Sequence, residues 1–239
     1  FGLKDSLNMG GCMAPSACDT IYRNFSDFGR TPDDYDAIFT GDLGAVGKRI
    51  LLDLLKEKGY DNITAEVCPH HFILSSDDIK TDDPNYKMNP PLRTPKDVEA
   101  LKQGLKDGTI EVISTDHAPH SAEEKTGSMK NTPFGIVGLE TSLPLTYTEL
   151  VEKGVITLKQ MVEKMCLNPA KILGLESGTL QEGHPADVII VDTEQEYTID
   201  KNKFVSKGHN TPFDGWKVKG KVLYTICDGK IIFENQEEK

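Results

Sequence analysis

A carboxylate and two imidazoles lie close together in the run STDHAPH, residues 114–120. The run directly follows residues 110–113, a short apolar segment that is typical of a buried strand. In a parallel α/β barrel, metal ligands and acid or base groups lie where the strands end, at the carboxyl-terminal face. Asp116, His117 and His120 are therefore candidates for catalysis, although a polar turn capped by an aspartate has the same composition.

Helical and strand patterns alternate around this run. Apolar residues recur at helical spacing in residues 14–25, 46–58, 97–105, 139–152 and 158–166, and strand-like runs cover residues 36–40, 63–67 and 110–113. This alternation favours an α/β barrel or sheet. From residue 178 onward the pattern changes to short β-runs at residues 186–191, 216–226 and 230–233, with Asp228-Gly229 as a hairpin turn. These runs predict a small β-domain at the end of the chain.

Charge and composition indicate which binding partners and which cellular location to expect. The 239-residue chain carries a formal net charge of −11, which opposes binding to nucleic acid or to an anionic membrane surface. We find no signal peptide and no apolar run long enough to cross a bilayer, so we expect a cytoplasmic protein. The five cysteines are scattered and form no CxxC pair, which argues against a disulfide framework and against a structural zinc site. Because the chain starts at Phe1, we expect it to be a fragment.

Several motifs resemble those of dihydroorotases in the cyclic amidohydrolase superfamily. They are AEVCPHH at residues 65–71, YKMNPPLR at 86–93, STDHAPH at 114–120, PFGIVGLE at 133–140, Asn168-Pro169-Ala170 and Asn210-Thr211-Pro212-Phe213. The resemblance implies the C-terminal part of a (β/α)8 metal-dependent hydrolase barrel followed by a small β-domain. It also implies interconversion of dihydroorotate and N-carbamoyl-L-aspartate, a step of pyrimidine biosynthesis, by a site that holds two zinc ions.

The resemblance assigns roles to individual positions. Asp116 corresponds to the catalytic carboxylate that also ligates zinc. The implied substrate-binding residues are Asn89, His120, Phe134 and Gly135. Zinc suits amide hydrolysis because it lowers the pKa of bound water to about 7.

The remaining histidines and cations near these motifs are not assigned to catalysis. Adjacent residues on a strand point to opposite faces, so at most one of His70 and His71 could face a metal, and we interpret both as structural. His117 is expected to orient a neighbour or to pack, rather than to ligate a metal. Arg93 could pair with a carboxylate or form a structural salt bridge, and Lys125 is expected to be a solvated loop charge.

The N-terminal part of the chain does not follow the dihydroorotase pattern. Residues 1–61 resemble an internal segment of stage V sporulation protein AD, a thiolase-fold protein, in residues 7–15, 29–36 and 40–44. We therefore expect a hybrid of a thiolase-like α/β segment at 1–61, a barrel portion at 62–177 and a β-domain portion at 178–239. The family's His-x-His pair, bridging carboxylate and two later zinc histidines are absent, and Leu43 stands where the last histidine is expected. The zinc pair should not be retained, and activity of this chain is doubtful.

Two alternatives remain open on the sequence alone. Allantoinases and hydantoinases share the barrel and metals but act on other cyclic amides, and the YKMNPPLR and PFG elements favour dihydroorotase over them. The chain could also be a non-catalytic hybrid or a partner-binding remnant. The candidate macromolecular partners are a second copy of the chain and aspartate transcarbamoylase.

Overall fold

The computed structural model describes residues 9–35, 38, 40, 44–60 and 64–235, and its first part is a pair of packed helices. These are α1 (Met9–Phe28) and α2 (Gly44–Glu57). Ala14 and Cys18 on α1 pack against Leu51 and Leu55 on α2. A Cβ atom at Gly47 would lie 2.6 Å from the backbone of Gly10, so the helices approach where neither has a side chain.

Both predicted N-terminal helices are confirmed, and α1 extends beyond residues 14–25 at both ends. The strand predicted over residues 36–40 falls largely outside the described residues, as does Leu43. Among the described helices, none combines the length and apolar character that crossing a bilayer requires.

Two short parallel strands form the centre of the second part. The elements are β1 (Glu66–Val67), α3 (Pro69–Ile73), α4 (Pro95–Asp107) and β2 (Val112–Ile113). Glu66 lies opposite Val112, and a further parallel bridge joins His117 to Ile136. The helix α4 starts at a capping box, in which Asp97 accepts a 3.0 Å hydrogen bond from the Thr94 backbone N–H. It ends at Gly108, whose φ of +86° suits a helix C-terminus.

A run of helical segments follows β2 and covers one side of the strands. The segments are α5 (Leu139–Thr146), its π-helical continuation Tyr147–Glu152, α6 (Leu158–Val162), the π-helical Glu163–Leu167 and α7 (Asn168–Ile172). The strands and these helices share one apolar core, made of Val67, Phe72, Leu105, Ile110, Ile113, Leu150, Ile156 and Met161. The strand β1 and the helix α4 therefore pack against the helical segments that follow β2, and burial of these apolar side chains stabilises the contact.

The last part contains two antiparallel sheets. Their strands are β3 (Val188–Asp192), β4 (Tyr197–Thr198), β5 (Lys217–Val218), β6 (Lys221–Cys227) and β7 (Lys230–Glu234). One sheet has the order β3-β6-β7, and the other pairs β4 with β5. The predicted hairpin turn is confirmed, since Asp228 and Gly229 both have positive φ. The strand predicted over residues 216–226 is interrupted, with Gly220 at a φ of +90° between β5 and β6.

A second apolar core joins the β4–β5 sheet to the segments around the parallel strands. It is made of Leu74, Met88, Leu92, Ile136, Leu145, Ile199, Phe213 and Val218. Phe213 and Val218 come from the last part of the chain, whereas Met88 and Ile136 lie within the motifs that resemble a substrate site. The positions of these motifs therefore depend on residues more than 70 positions away in the sequence.

One buried cation ties the N-terminal helices to the parallel strands. Lys48 on α2 is only 5% exposed, and its Nζ donates a 2.6 Å hydrogen bond to Glu111 Oε2 and another to the Thr109 carbonyl oxygen. The same Glu111 oxygen accepts the Ala65 backbone N–H at 2.8 Å. Because Ala65 precedes β1 and Glu111 precedes β2, one carboxylate links α2 to both strands.

We expect Lys48→Met to lower the free energy of unfolding by about 1–3 kcal/mol, because Glu111 and the Thr109 carbonyl lose a donor. Lys102→Met is the matched control, since Lys102 pairs with an exposed Glu99 on α4 and such a pair contributes about 0–1 kcal/mol. Urea denaturation of both variants measures the difference. Identical midpoints for the parent and Lys48→Met would show that α2 does not dock on the strands.

Candidate functional site

The carboxylate of Asp116 stands at the end of β2 in an unusual backbone conformation. Its φ is +47°, a left-handed value that non-glycine residues hold only where the surrounding structure enforces it. Asp116 is exposed, and no hydrogen-bond donor among the described residues reaches its carboxylate. The side chain is therefore available to a ligand or to a proton.

The residues after Asp116 are pinned to the start of α5. His117 Nδ1 accepts the backbone N–H of Gly138 at 3.0 Å and that of Leu139 at 3.4 Å. The Ala118 N–H donates to the Ile136 carbonyl oxygen at 2.9 Å. These bonds place His117 in an orienting role, because its Nδ1 lone pair is used by the helix N-terminus.

His120 is held between two oxygen acceptors. Its Nε2 lies 3.0 Å from the Phe134 carbonyl oxygen, and its Nδ1 lies 3.5 Å from Glu124 Oε2. A ring with hydrogen on both nitrogens can donate to both oxygens. A substrate that bonds to His120 must therefore replace one of these two partners.

The amide of Asn210 fastens the two segments that carry these residues. Its Nδ2 donates to the Ala118 carbonyl oxygen at 3.0 Å and to the Gly135 carbonyl oxygen at 3.1 Å, and its Oδ1 accepts the His120 backbone N–H at 3.0 Å. Asn210 is only 5% exposed. Sequence reasoning placed this residue in a family motif but gave it no role. The feature of the sequence that could have indicated a role for Asn210 is its position in a short polar run between apolar strands.

The Phe134-Gly135 backbone already uses most of its polar groups. The Gly135 N–H donates to the Lys87 carbonyl oxygen at 2.9 Å, and Lys125 Nζ donates to the Pro133 and Gly135 carbonyl oxygens at 3.0 Å each. Among the described residues, no acceptor reaches the Phe134 N–H. This N–H is therefore the one backbone donor of the pair that a substrate could take without replacing an internal bond.

The expectation that Lys125 is a solvated loop charge is wrong. The side chain is buried because its Nζ reaches two carbonyl oxygens beneath the Phe134 loop. Burial lowers the pKa of Lys125 below its ordinary value of 10.5, Lys87 lowers it further, and Asp83 opposes both effects. Lys125 is thus a structural donor that sequence pattern alone did not reveal.

Asn89 lies in an exposed loop that is tied to this group on both sides. Two residues earlier, the Lys87 carbonyl oxygen accepts the Gly135 N–H at 2.9 Å, and Lys87 Nζ lies 4.5 Å from the centroid of the Phe134 ring. One residue later, the Pro90 carbonyl oxygen lies 2.9 Å from His71 Nε2. The structure thus brings together three segments, at residues 87–90, 116–120 and 133–136.

Comparison with known proteins agrees with this arrangement. The profile of the amidohydrolase family matches residues 51–232. The chain belongs to the amidohydrolase family. The profile of stage V sporulation protein AD matches residues 1–70, which supports the interpretation of the chain as a hybrid.

Named relatives of this amidohydrolase chain are bacterial. A dihydroorotase of Bacillus cytotoxicus is 47% identical over 238 residues, covering 99% of this chain and 54% of the relative. A dihydroorotase of Bacillus cereus strain AH820 is 48% identical with the same coverage. The chain therefore spans about half the length of the curated relatives it matches.

Solved structures of related enzymes have the same fold as this chain. L-hydantoinase (dihydropyrimidinase) from Arthrobacter aurescens aligns with a TM-score of 0.74 and 32% identity, covering 80% of this chain and 43% of that protein. D-hydantoinase (dihydropyrimidinase) from a Thermus species shares the fold with a TM-score of 0.75 and 22% identity, covering 93% and 49%. The α/β metal-dependent hydrolase fold expected from the motifs is confirmed. The thiolase-type fold expected for residues 1–61 stays a prediction.

The described residues around Asp116 do not fit a catalytic zinc site, although this family is typically zinc-dependent. Asp116 supplies one carboxylate, but it belongs to no group of three or more His, Cys, Asp or Glu donors within the part of the chain that the structure describes. Catalytic zinc usually takes three protein ligands. We therefore derive no reaction step through zinc for this chain.

The interpretation of His70 and His71 as strand neighbours on opposite faces is wrong. Both lie on the short helix α3, because Pro69 starts a helical turn directly after β1, and their ring centroids are 4.2 Å apart. Burial lowers the pKa of His70 well below its ordinary value, and His71 lowers it further, so the ring is neutral near pH 7. His70 Nε2 is buried without a hydrogen-bond partner, which costs about 1–3 kcal/mol.

We expect Gly135→Ala to destabilise the protein by about 1–3 kcal/mol, because a Cβ there would lie 2.4 Å from Ala118 Cβ at a φ of +104°. Gly127→Ala is the matched control, with a φ of +114° and no heavy atom within 4 Å. Chemical denaturation of both variants separates the steric contact from the backbone strain. The double variant Ala118→Gly/Gly135→Ala should recover part of the loss, and equal losses for the two single variants would contradict the contact.

The lowered pKa of Lys125 predicts a pH-dependent contribution to stability. Between the folded-state pKa and the ordinary value of 10.5, the unfolded chain binds more protons than the folded chain, so stability from this group rises with pH. The parent should therefore gain stability relative to Lys125→Met as the pH rises toward 10.5. Denaturation midpoints measured from neutral pH to pH 10.5 test this, with the exposed Lys130→Met as the control for loss of a surface charge. A pH-independent difference would contradict the shift.

Proposed function

We propose that this chain provides the substrate-binding half of a dihydroorotase-type cyclic amide hydrolase, which acts on dihydroorotate or N-carbamoyl-L-aspartate. The observation that carries the proposal is the convergence of residues 87–90, 116–120 and 133–136 at the end of β2, under the amide of Asn210. The identity of 47–48% to dihydroorotases over 99% of the chain supports the substrate class.

Asp116 is the proposed acid and base in this half-site. Ring opening joins a water oxygen to the ring carbonyl carbon, breaks the carbon–nitrogen bond and adds a proton to the leaving nitrogen. An exposed carboxylate with no donor bonded to it can take the proton from water and return it to that nitrogen.

Neutral and cationic donors are proposed to hold the substrate. The Phe134 N–H and the Asn89 amide are both exposed enough to reach the carbonyl and carboxylate oxygens of an anionic ring. His120 can add a third donor if a substrate oxygen replaces the Phe134 carbonyl or Glu124. Lys87 and Lys125 add positive charge beneath the same loop, which suits an anionic substrate.

Hydantoin hydrolysis is the second candidate, because L-hydantoinase from Arthrobacter aurescens is 32% identical with a TM-score of 0.74. Hydantoins share the cyclic amide but need not carry the carboxylate that dihydroorotate has. The two candidates therefore differ in whether the cationic donors near Phe134 are used.

The proposal of a second copy or of aspartate transcarbamoylase as a partner has one supporting observation. Every residue of β7 is exposed, including the apolar Ile231, Ile232 and Phe233. The strand β7 is an edge strand of its sheet, and an exposed edge with apolar side chains on both faces is typical of an interaction surface.

We expect the chain to bind dihydroorotate more tightly than hydantoin or allantoin, with no turnover by the chain alone because the described residues supply one family zinc ligand. Asn89→Ala and His120→Ala should each weaken binding by up to about tenfold, the loss of one hydrogen bond. Isothermal titration calorimetry measures affinity, and a turnover assay with added zinc measures activity. Asn202→Ala, an exposed asparagine in the turn Lys201–Lys203, is the control. Turnover by the chain alone, or equal affinity for all three ligands, would contradict the proposal.

A further inference from the structure

A buried group of one thiol and two imidazoles lies at the end of β1. Cys68 directly follows the strand, and the His71 backbone N–H donates to the Cys68 carbonyl oxygen at 3.0 Å, which closes a turn around Pro69. This turn brings the side chains of Cys68, His70 and His71 together. One potential ligand atom from each lies within 4.8 Å of the other two.

We propose that Cys68, His70 and His71 form a binding site for one Zn²⁺ ion, separate from the position of Asp116. A thiolate with two neutral imidazoles is a donor set that zinc prefers, and three protein ligands leave a fourth position for water. Ligand atoms around tetrahedral zinc lie roughly 3.3–3.8 Å apart, given bonds of about 2.0–2.3 Å. Contraction of the longest separations by about 1 Å would complete the geometry.

The burial of His70 points to a ligand independently of the grouping. The side chain is 2% exposed, and its Nε2 has no hydrogen-bond partner. A buried polar atom without a partner is rare in native structures, and an ion is one of the few groups that resolves it. A metal ion bonded to Nε2 would satisfy this atom.

The surroundings of the other two residues match the outer shell of a zinc site. His71 Nε2 lies 2.9 Å from the Pro90 carbonyl oxygen, and metal-bound histidines usually donate their other ring N–H to such an oxygen. Cys68 Sγ lies 3.4 Å from Ser114 Oγ. When Cys68 binds zinc it releases its proton to solvent, and the Ser114 hydroxyl can then donate to the thiolate.

The proposed zinc site lies at the same end of the parallel strands as Asp116, but Asp116 is not one of its ligands. Ser114 follows β2 and lies two residues before Asp116, while Cys68 follows the paired strand β1. The proposal replaces the expectation that these histidines are only structural, because that expectation depended on an extended backbone that the structure does not have. It does not depend on the proposed hydrolase function.

Cobalt(II) is the probe that tests the proposal on the whole chain, because a thiolate bonded to Co²⁺ gives a charge-transfer band in the near ultraviolet. We expect one equivalent of Co²⁺ to bind with this band and to be displaced by Zn²⁺. Cys68→Ser should remove the band, and His70→Gln should weaken Co²⁺ binding by about 10–100-fold or more. Asp116→Asn and Cys227→Ser should keep both the band and the affinity.

A second measurement uses the unchanged protein, so that it does not depend on the folding of a variant. Saturating Zn²⁺ should slow alkylation of Cys68 but not that of the exposed Cys166 and Cys227, as read by mass spectrometry of the modified peptides. The absence of stoichiometric Co²⁺ or Zn²⁺ binding at micromolar concentration would overturn the proposal. A band that survives Cys68→Ser or disappears in Asp116→Asn would overturn it as well.

Discussion

The three hydrogen bonds of the Asn210 side chain hold the candidate site together. Its amide donates to carbonyl oxygens on two segments and accepts an N–H from one of them, so both ends of a single planar group are used. A parallel bridge between His117 and Ile136 and the contact of His120 with the Phe134 carbonyl oxygen also join these segments. An aspartate at position 210 has no N–H to donate and could not make the two outgoing bonds. The arrangement of the 116–120 segment and the Phe134 loop therefore depends in large part on this one amide.

Local charge at the site differs from the charge of the chain. The chain as a whole is acidic, with a net charge of −11, yet Lys87 and Lys125 both lie beneath the Phe134 loop. Neither lysine is paired mainly with a carboxylate there; each donates to backbone carbonyl oxygens. Positive charge from one half-buried and one buried lysine therefore lies next to the candidate site in a chain that is acidic overall.

Sequence patterns predicted the elements that depend on local interactions. The helix α4 follows from the apolar spacing of residues 97–105, and the β6–β7 hairpin follows from Asp228-Gly229. The same reasoning was wrong at Lys125, whose Nζ is buried against carbonyl oxygens only 8 and 10 residues further along the chain, because a charge in a polar loop has the same pattern whether or not the loop folds over it. It gave no role to Asn210, because the partners of that side chain lie 75 to 92 residues away. At His70 a two-residue strand and a proline-led helical turn have the same apolar pattern as a longer strand.

The Lys48–Glu111 contact has a consequence for the order of events during synthesis. The helix α2 is made before its partners, since Thr109 and Glu111 lie 61 and 63 residues later in the chain. At about 5–20 residues per second, a ribosome needs roughly 3–13 s to reach them. During that interval Lys48 has neither of these acceptors, and α1 and α2 can bury only the apolar face they share. The amidohydrolase match starts at residue 51 and the match to stage V sporulation protein AD ends at residue 70, so the residues that both matches share begin inside α2, a helix that cannot contact Thr109 and Glu111 until residue 111 has been made.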